Sequence, residues 1–131
     1  MIEPGIGTSM YKIGTPFSEI DLSIYKNVEI EDREILKVYK TDEIWFFVNA
    51  KSNKLDQLSL FSPFNEKTKE NIGIGSYLSE VYEHYGECAI NHKVHEPKGI
   101  QGIAFETKHG SKAKNATIEC ISVSEPYPYY G

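Results

Sequence analysis

The octapeptide Ile13-Gly14-Thr15-Pro16-Phe17-Ser18-Glu19-Ile20 returns 61 residues later as Ile74-Gly75-Ser76-Tyr77-Leu78-Ser79-Glu80-Val81, with four positions identical and three conservatively replaced. Residues 55–63 match residues 118–126 at an offset of 63, and Ile44-Trp45-Phe46 lines up with Ile103-Ala104-Phe105 at 59. Three blocks in one order, with offsets that drift by only a few residues, constrain the chain to use one arrangement of elements twice. The units span about 5–63 and 70–126 and leave a tail, 127–131. A chain of 131 residues is an ordinary length for one domain with a core of its own, so the reading is a single domain over 1–131.

Each block has a local physical meaning. Thr15 and Ser76 are good helix N-caps, because a hydroxyl can accept from an unpaired helical amide. Pro16 falls at the first helical position, where its missing donor does no harm. Behind the caps, Phe17, Ile20 and Ile24 form one apolar helical stripe and Leu78, Val81, Tyr82 and Tyr85 another. Gly86 is placed to end the second helix. Helices of about ten residues must lean on a sheet to persist. Residues 34–40, 43–49 and 55–61 are rich in β-branched and aromatic side chains and are joined by short polar links, the pattern of hairpins. The corresponding strands of the second unit fall near 99–108 and 116–124, with a further one around 88–94. Pro63 and Pro126 each stop the last strand of a unit. The predicted architecture is α+β: two tandem αβββ units in one antiparallel sheet, with both helices on one face.

Alternation along a strand separates its faces. The helix-facing side is predicted to hold Leu36, Val38, Ile44, Phe46, Val48, Leu58 and Leu60, with Phe105, Ile121 and Val123 from the second unit. The opposite parity gathers Ile35, Tyr39, Trp45, Phe47 and Phe61. On a sheet covered on one side only, these rings form an aromatic patch of the kind that marks recognition of another protein. A loop or the tail covering them, or a second copy of the chain, would bury the same patch. Tyr129 of the tail is a further candidate for the binding surface.

A net charge of −5 with no lysine-rich block disfavours nucleic acid as a ligand and favours encounter with a basic partner. The densest acidic run comprises Glu29, Glu31, Asp32 and Glu34; it reads as a solvated loop or as a landing site for that partner. No window approaches a membrane span, which leaves a cytoplasmic location as the expectation, with Cys88 and Cys120 as reduced thiols.

Tandem units of a capped helix and antiparallel strands, opening on Ile-Gly-[Thr/Ser]-x-x-Ser-Glu-[Ile/Val], resemble the β-lactamase-inhibitor-protein-like fold, and are similar to the small outer-membrane assembly lipoproteins. In the inhibitor-like members an exposed concave sheet grips an enzyme mainly through aromatics. That resemblance implies a binding role for Tyr39, Trp45 and Phe47. A small, acidic, cytosolic chain of this kind also resembles bacterial immunity proteins, which neutralise a toxin. The implied function is a non-catalytic protein-binding domain that blocks the active site of a basic toxin or enzyme, as a monomer or a homodimer.

Two other readings stand beside it. One is a homo-oligomeric structural or regulatory domain. The other is a small metal-binding hydrolase built on Cys88, His92 and His95, with Cys120 as a fourth donor, since tetrahedral zinc takes nitrogen and sulfur ligands. The paired ligand spacing of structural zinc sites is missing from this cluster. Residues 72–76, Ile-Gly-Ile-Gly-Ser, precede a helix but lack the third glycine of a dinucleotide loop, and no cofactor is expected.

Overall fold

Runs of β-branched and aromatic residues extend into eight strands, since such side chains pack well on a pleated surface. The strands are Glu29–Asp32 (β1), Leu36–Lys40 (β2), Ile44–Asn49 (β3), Leu55–Phe61 (β4), Cys88–Asn91 (β5), Val94–Pro97 (β6), Ile103–Thr107 (β7) and Ile118–Ser124 (β8). The computed structural model describes residues 1–126. Every pairing is antiparallel, in one sheet of order β1-β2-β3-β4-β8-β7-β6-β5. Two four-stranded meanders therefore meet at β4 and β8, leaving β1 and β5 as edges. Among the described residues the α+β fold has one α-helix, Leu78–Tyr85 (α1).

One sheet face carries the core. Ile44, Leu60, Ile121, Phe105 and His95 are successive cross-strand partners, and so are Phe46, Leu58, Val123 and Ile103. Residues from 2 to 25 and from 64 to 85 pack over these rows, with Ile2, Tyr11, Ile20, Ile72, Leu78 and Val81 buried among them. Phe46 is fully buried, with Tyr11 edge-on at 4.9 Å and Tyr25 at 6.0 Å. The two tyrosine hydroxyls satisfy each other at 2.6 Å. The helix-facing set predicted for β3, β4, β7 and β8 is the observed one.

Several expectations are corrected. The first predicted helix is two single 3-10 turns, Phe17–Glu19 and Leu22–Ile24. Asp21 caps the second turn by accepting from both the backbone and the hydroxyl of Ser23, and these bonds hold its carboxyl below the ordinary range. In the second unit the helix forms, but Ser76 does not cap it: its hydroxyl accepts from the Gly73 amide, and the Glu80 carboxylate accepts from the Tyr77 amide. Gly86 ends the helix at φ 79°, as expected.

The faces of β2 are also exchanged. Thr41 and Ile44 bond to each other around a two-residue turn, so even-numbered residues of β2 oppose odd-numbered residues of β3. Val38 pairs with Phe47 on the far face, while Tyr39 pairs with Phe46 and joins the covered side. Finally, the region around 88–94 is a hairpin, β5 and β6, turning at His92 with φ 58°. The acidic run read as a loop contains edge strand β1, whose Glu29 and Asp32 oppose Lys40 and Lys37.

His95 is 1% exposed, on the covered face, with its Nδ1 3.1 Å from the Tyr82 hydroxyl. Burial, then the charge of Lys112, pushes its pKa below the usual imidazole value. The unfolded chain therefore binds the proton more readily. This contribution to stability is present above the unfolded pKa of about 6.5 and is lost as pH falls towards the lower folded value. Thermal melts from about pH 7.5 down to about pH 5 should cost the wild type more than a His95→Gln variant, relative to each protein's own value at the higher pH. Equal losses would remove His95 from the balance. Phe46→Ala should cost about 3–5 kcal/mol in urea unfolding.

Candidate functional site

The face away from α1 follows from the same alternation. On it, Trp45, Ser59, Ser122 and Ala104 are successive cross-strand partners, flanked by Phe61, Cys120, Glu106 and Val94 and by Phe47, Gln57 and Ser124. Aromatic rings thus stand on β3 and β4, small polar side chains occupy the β4–β8 seam, and carboxylates rise beyond it on β6 and β7. The result is a trough of about 580 Å³. No residue of the N-terminal segment, of the 3-10 turns or of α1 lines it.

Trp45 and Phe61 form one wall, half-buried, with ring centroids 5.0 Å apart. On the floor, the Ser59 and Ser122 hydroxyls bond across the seam at 2.9 Å, and Gln57 Nε2 donates to Ser59 at 3.3 Å. Cys120 is 4% exposed; burial, then the negative charge of Glu106, pushes its thiol up to about 12. Glu96 and Glu106 are half-buried on the opposite wall.

A second polar group borders the aromatic wall. Glu31 accepts from Arg33 Nε at 2.6 Å and from Lys40 Nζ at 3.4 Å, and the guanidinium, then the ammonium, hold its carboxyl below the usual range. The Lys40 ammonium lies 4.4 Å from the Trp45 ring centroid, and the Arg33 guanidinium 5.6 Å from that of Phe47. These cations lock the rings from the β1 side through cation–π contacts.

The predicted binding residues are therefore divided. Trp45 and Phe61 line the trough, and Glu31 sits at its border. Phe47 lines the trough as well, though it is only 7% exposed. Tyr39 is not part of this surface: it stacks on Phe17 at 4.2 Å on the covered side. Asp32 is exposed at the β1 edge, 3.9 Å from Lys37, and Glu34 is exposed on the β1–β2 link. Tyr129 lies outside the described residues. Sequence reasoning passed over Glu106, although the 59-residue offset that aligns Trp45 with Ala104 also carries Phe47 onto Glu106. For Glu96 no such signal existed, because β6 was not recognised as a strand.

The Cys88, His92 and His95 cluster is not assembled. Cys88 and His95 are buried on the covered face against Tyr82, while His92 is exposed on the β5–β6 turn. Cys120 belongs to the opposite face. Among the described residues no group of three or more His, Cys, Asp or Glu side chains is arranged to hold a metal ion. Nor is any helix among them long and apolar enough to cross a membrane.

No protein-family model matches the chain, and no curated protein does. Among solved structures, the chain is similar to the uncharacterized protein yfeY from Escherichia coli, at 13% identity and a TM-score of 0.61, covering 94% of this chain and 97% of that one. It is also similar to a cysteine-rich secretory protein from Staphylococcus aureus, at 11% identity and a TM-score of 0.53, covering 94% of this chain but 48% of the other. At these identities the likeness is one of fold: a large antiparallel sheet with a helix on one side.

Proposed function

We propose that this chain is a non-catalytic protein-binding domain, a cytosolic immunity or inhibitor protein that blocks the active site of a toxin or enzyme with its open sheet face. The observation that carries the reading is the pair Trp45 and Phe61, large rings held in fixed geometry on the wall of a trough that no element from residues 1–25 or 64–85 lines. Tryptophan in such a setting is a frequent anchor of protein interfaces. The net charge of −5 favours a basic partner through steered encounter.

The reading includes a tandem origin of the sheet, in which each half supplies four strands. Two sets of equivalent contacts support it. Gly14 and Gly75, at φ 90° and 92°, donate to the carbonyls of Leu55 and Ile118, and the amides of those residues donate back to Thr15 and Ser76. A positive φ is costly for any side chain except glycine, which gives the repeated Ile-Gly a shared structural purpose. Pro16 then bridges to Lys54 as Tyr77 does to Thr117.

Self-association is the rival reading, and edge strand β5 favours it, since Ile90 is 45% exposed there. Size-exclusion chromatography with light scattering separates the two: the inhibitor reading expects a monomer at micromolar concentration.

Immobilised wild-type protein and Trp45→Ala are to be compared for capture from a bacterial lysate, with inhibition of the captured protein then assayed. The partner is expected to be inhibited by the wild type and to bind the variant with about 2 kcal/mol less free energy, while the melting temperature changes little. A variant that binds equally well, or one that unfolds, would count against Trp45 as an anchor.

A thiol nucleophile is disfavoured because burial raises the pKa of both cysteines. Ellman's reagent should label Cys88 and Cys120 slowly in the native protein and both rapidly in denaturant. Fast stoichiometric labelling of either native thiol would reopen the enzymatic reading.

A further inference from the structure

The charges on the open face are unevenly committed. Of the bases near the trough, Arg33 and Lys40 are both engaged by Glu31, and Lys98 pairs with Glu87 at 3.3 Å. Glu96 and Glu106 line the far wall and, among the described residues, form no ion pair. The trough therefore has an aromatic wall, whose two cations share the Glu31 carboxylate, facing an acidic wall with no paired cation. Phe61 and Glu106 flank Cys120 two strand spacings apart, about 10 Å backbone to backbone, and their side chains stand on either side of a space for one extended polar side chain. Glu106 is half-buried and is the cross-strand partner of Cys120 on the floor.

A cation that stacks on an aromatic ring while donating to carboxylates suits this geometry better than an apolar or anionic group. A guanidinium does so best: it is planar, weakly hydrated and permanently charged, and it donates in a fixed fork. Resting on the reading of this face as a protein-binding surface, we infer that the trough is the socket for an arginine side chain of a basic protein partner, gripped between Phe61 and Glu106, with Trp45 and Glu96 further out on the same two walls. The acidic run at the β1 edge is not the principal contact, because Glu31 is occupied by Arg33 and Lys40.

The test uses small probes and the intact chain. N-acetyl-arginine amide is titrated into ¹⁵N-labelled protein and followed by the Trp45 indole N–H and the Ser122 and Ala104 amides, in parallel with the neutral N-acetyl-norleucine amide. Arginine amide is expected to give saturable shifts confined to these reporters. Binding should be roughly fivefold weaker in the Glu96→Gln/Glu106→Gln double variant, the scale of partly exposed charge pairs, and unchanged in Glu34→Gln. The spectrum and melting temperature of the double variant establish that it is folded. Equal shifts from norleucine amide, or undiminished binding by the folded double variant, would overturn the socket while leaving a protein-binding face intact. No localised shift from either probe would overturn it as well; the broader reading is then decided separately by partner capture with Trp45→Ala.

Discussion

The antiparallel contact between β4 and β8, from Gln57 opposite Ser124 to Phe61 opposite Cys120, joins two meanders that are each too small to bury a core. On one side of this seam Leu58, Leu60, Ile121 and Val123 form the centre of the apolar layer. On the other side the same strands carry Gln57, Ser59, Cys120, Ser122 and Ser124. Small side chains there leave space above the seam, and larger ones further out enclose it. Core and trough are thus two consequences of one strand pairing, written on alternate residues.

The rest of the molecule acts on that frame from one side. Residues from 2 to 25, the 3-10 turns and α1 cover the apolar layer, with buried hydroxyls satisfied by one another, as in Tyr11 and Tyr25, or by His95, as in Tyr82. Buried polar groups with partners cost little, and every buried side-chain nitrogen and oxygen among the described residues has one. The open face has a different economy of charge. Arg33 and Lys40 share one carboxylate, Glu31, beside the rings, and the carboxylates on β6 and β7 form no ion pair among the described residues, so the face is polarised along the strand order.

Much of this was legible in the residues. The β-branched and aromatic runs marked β3, β4, β7 and β8, and the Gly86 stop marked the end of α1, whereas the repeated block opens one α-helix and not two. What could not be read were features set by pairing instead of composition. Strand β1 is Glu-Ile-Glu-Asp, poor strand fabric on its own, and opposing lysines on β2 supply its compensation. The faces of β2 depend on whether the turn at Asp42-Glu43 holds an even or odd number of residues, and hydrophobicity alone misplaced Tyr39. The first unit's helix gives way to two 3-10 turns separated by extended backbone at Ile20 and Asp21. Of the site, Trp45 and Phe61 were visible as aromatics on one parity, whereas the acidic wall needed β6 and β7 to be placed side by side.

Because Gln57, Ser59, Ser122 and Ser124 alternate with the residues that hold the layers together, the floor of the trough is set by side chains that take no part in the apolar layer beneath. Substitutions at these four positions reshape the floor while the alternate residues keep the layer below. The seam is in that sense a typeface: the frame stays fixed and the characters set into it are interchangeable.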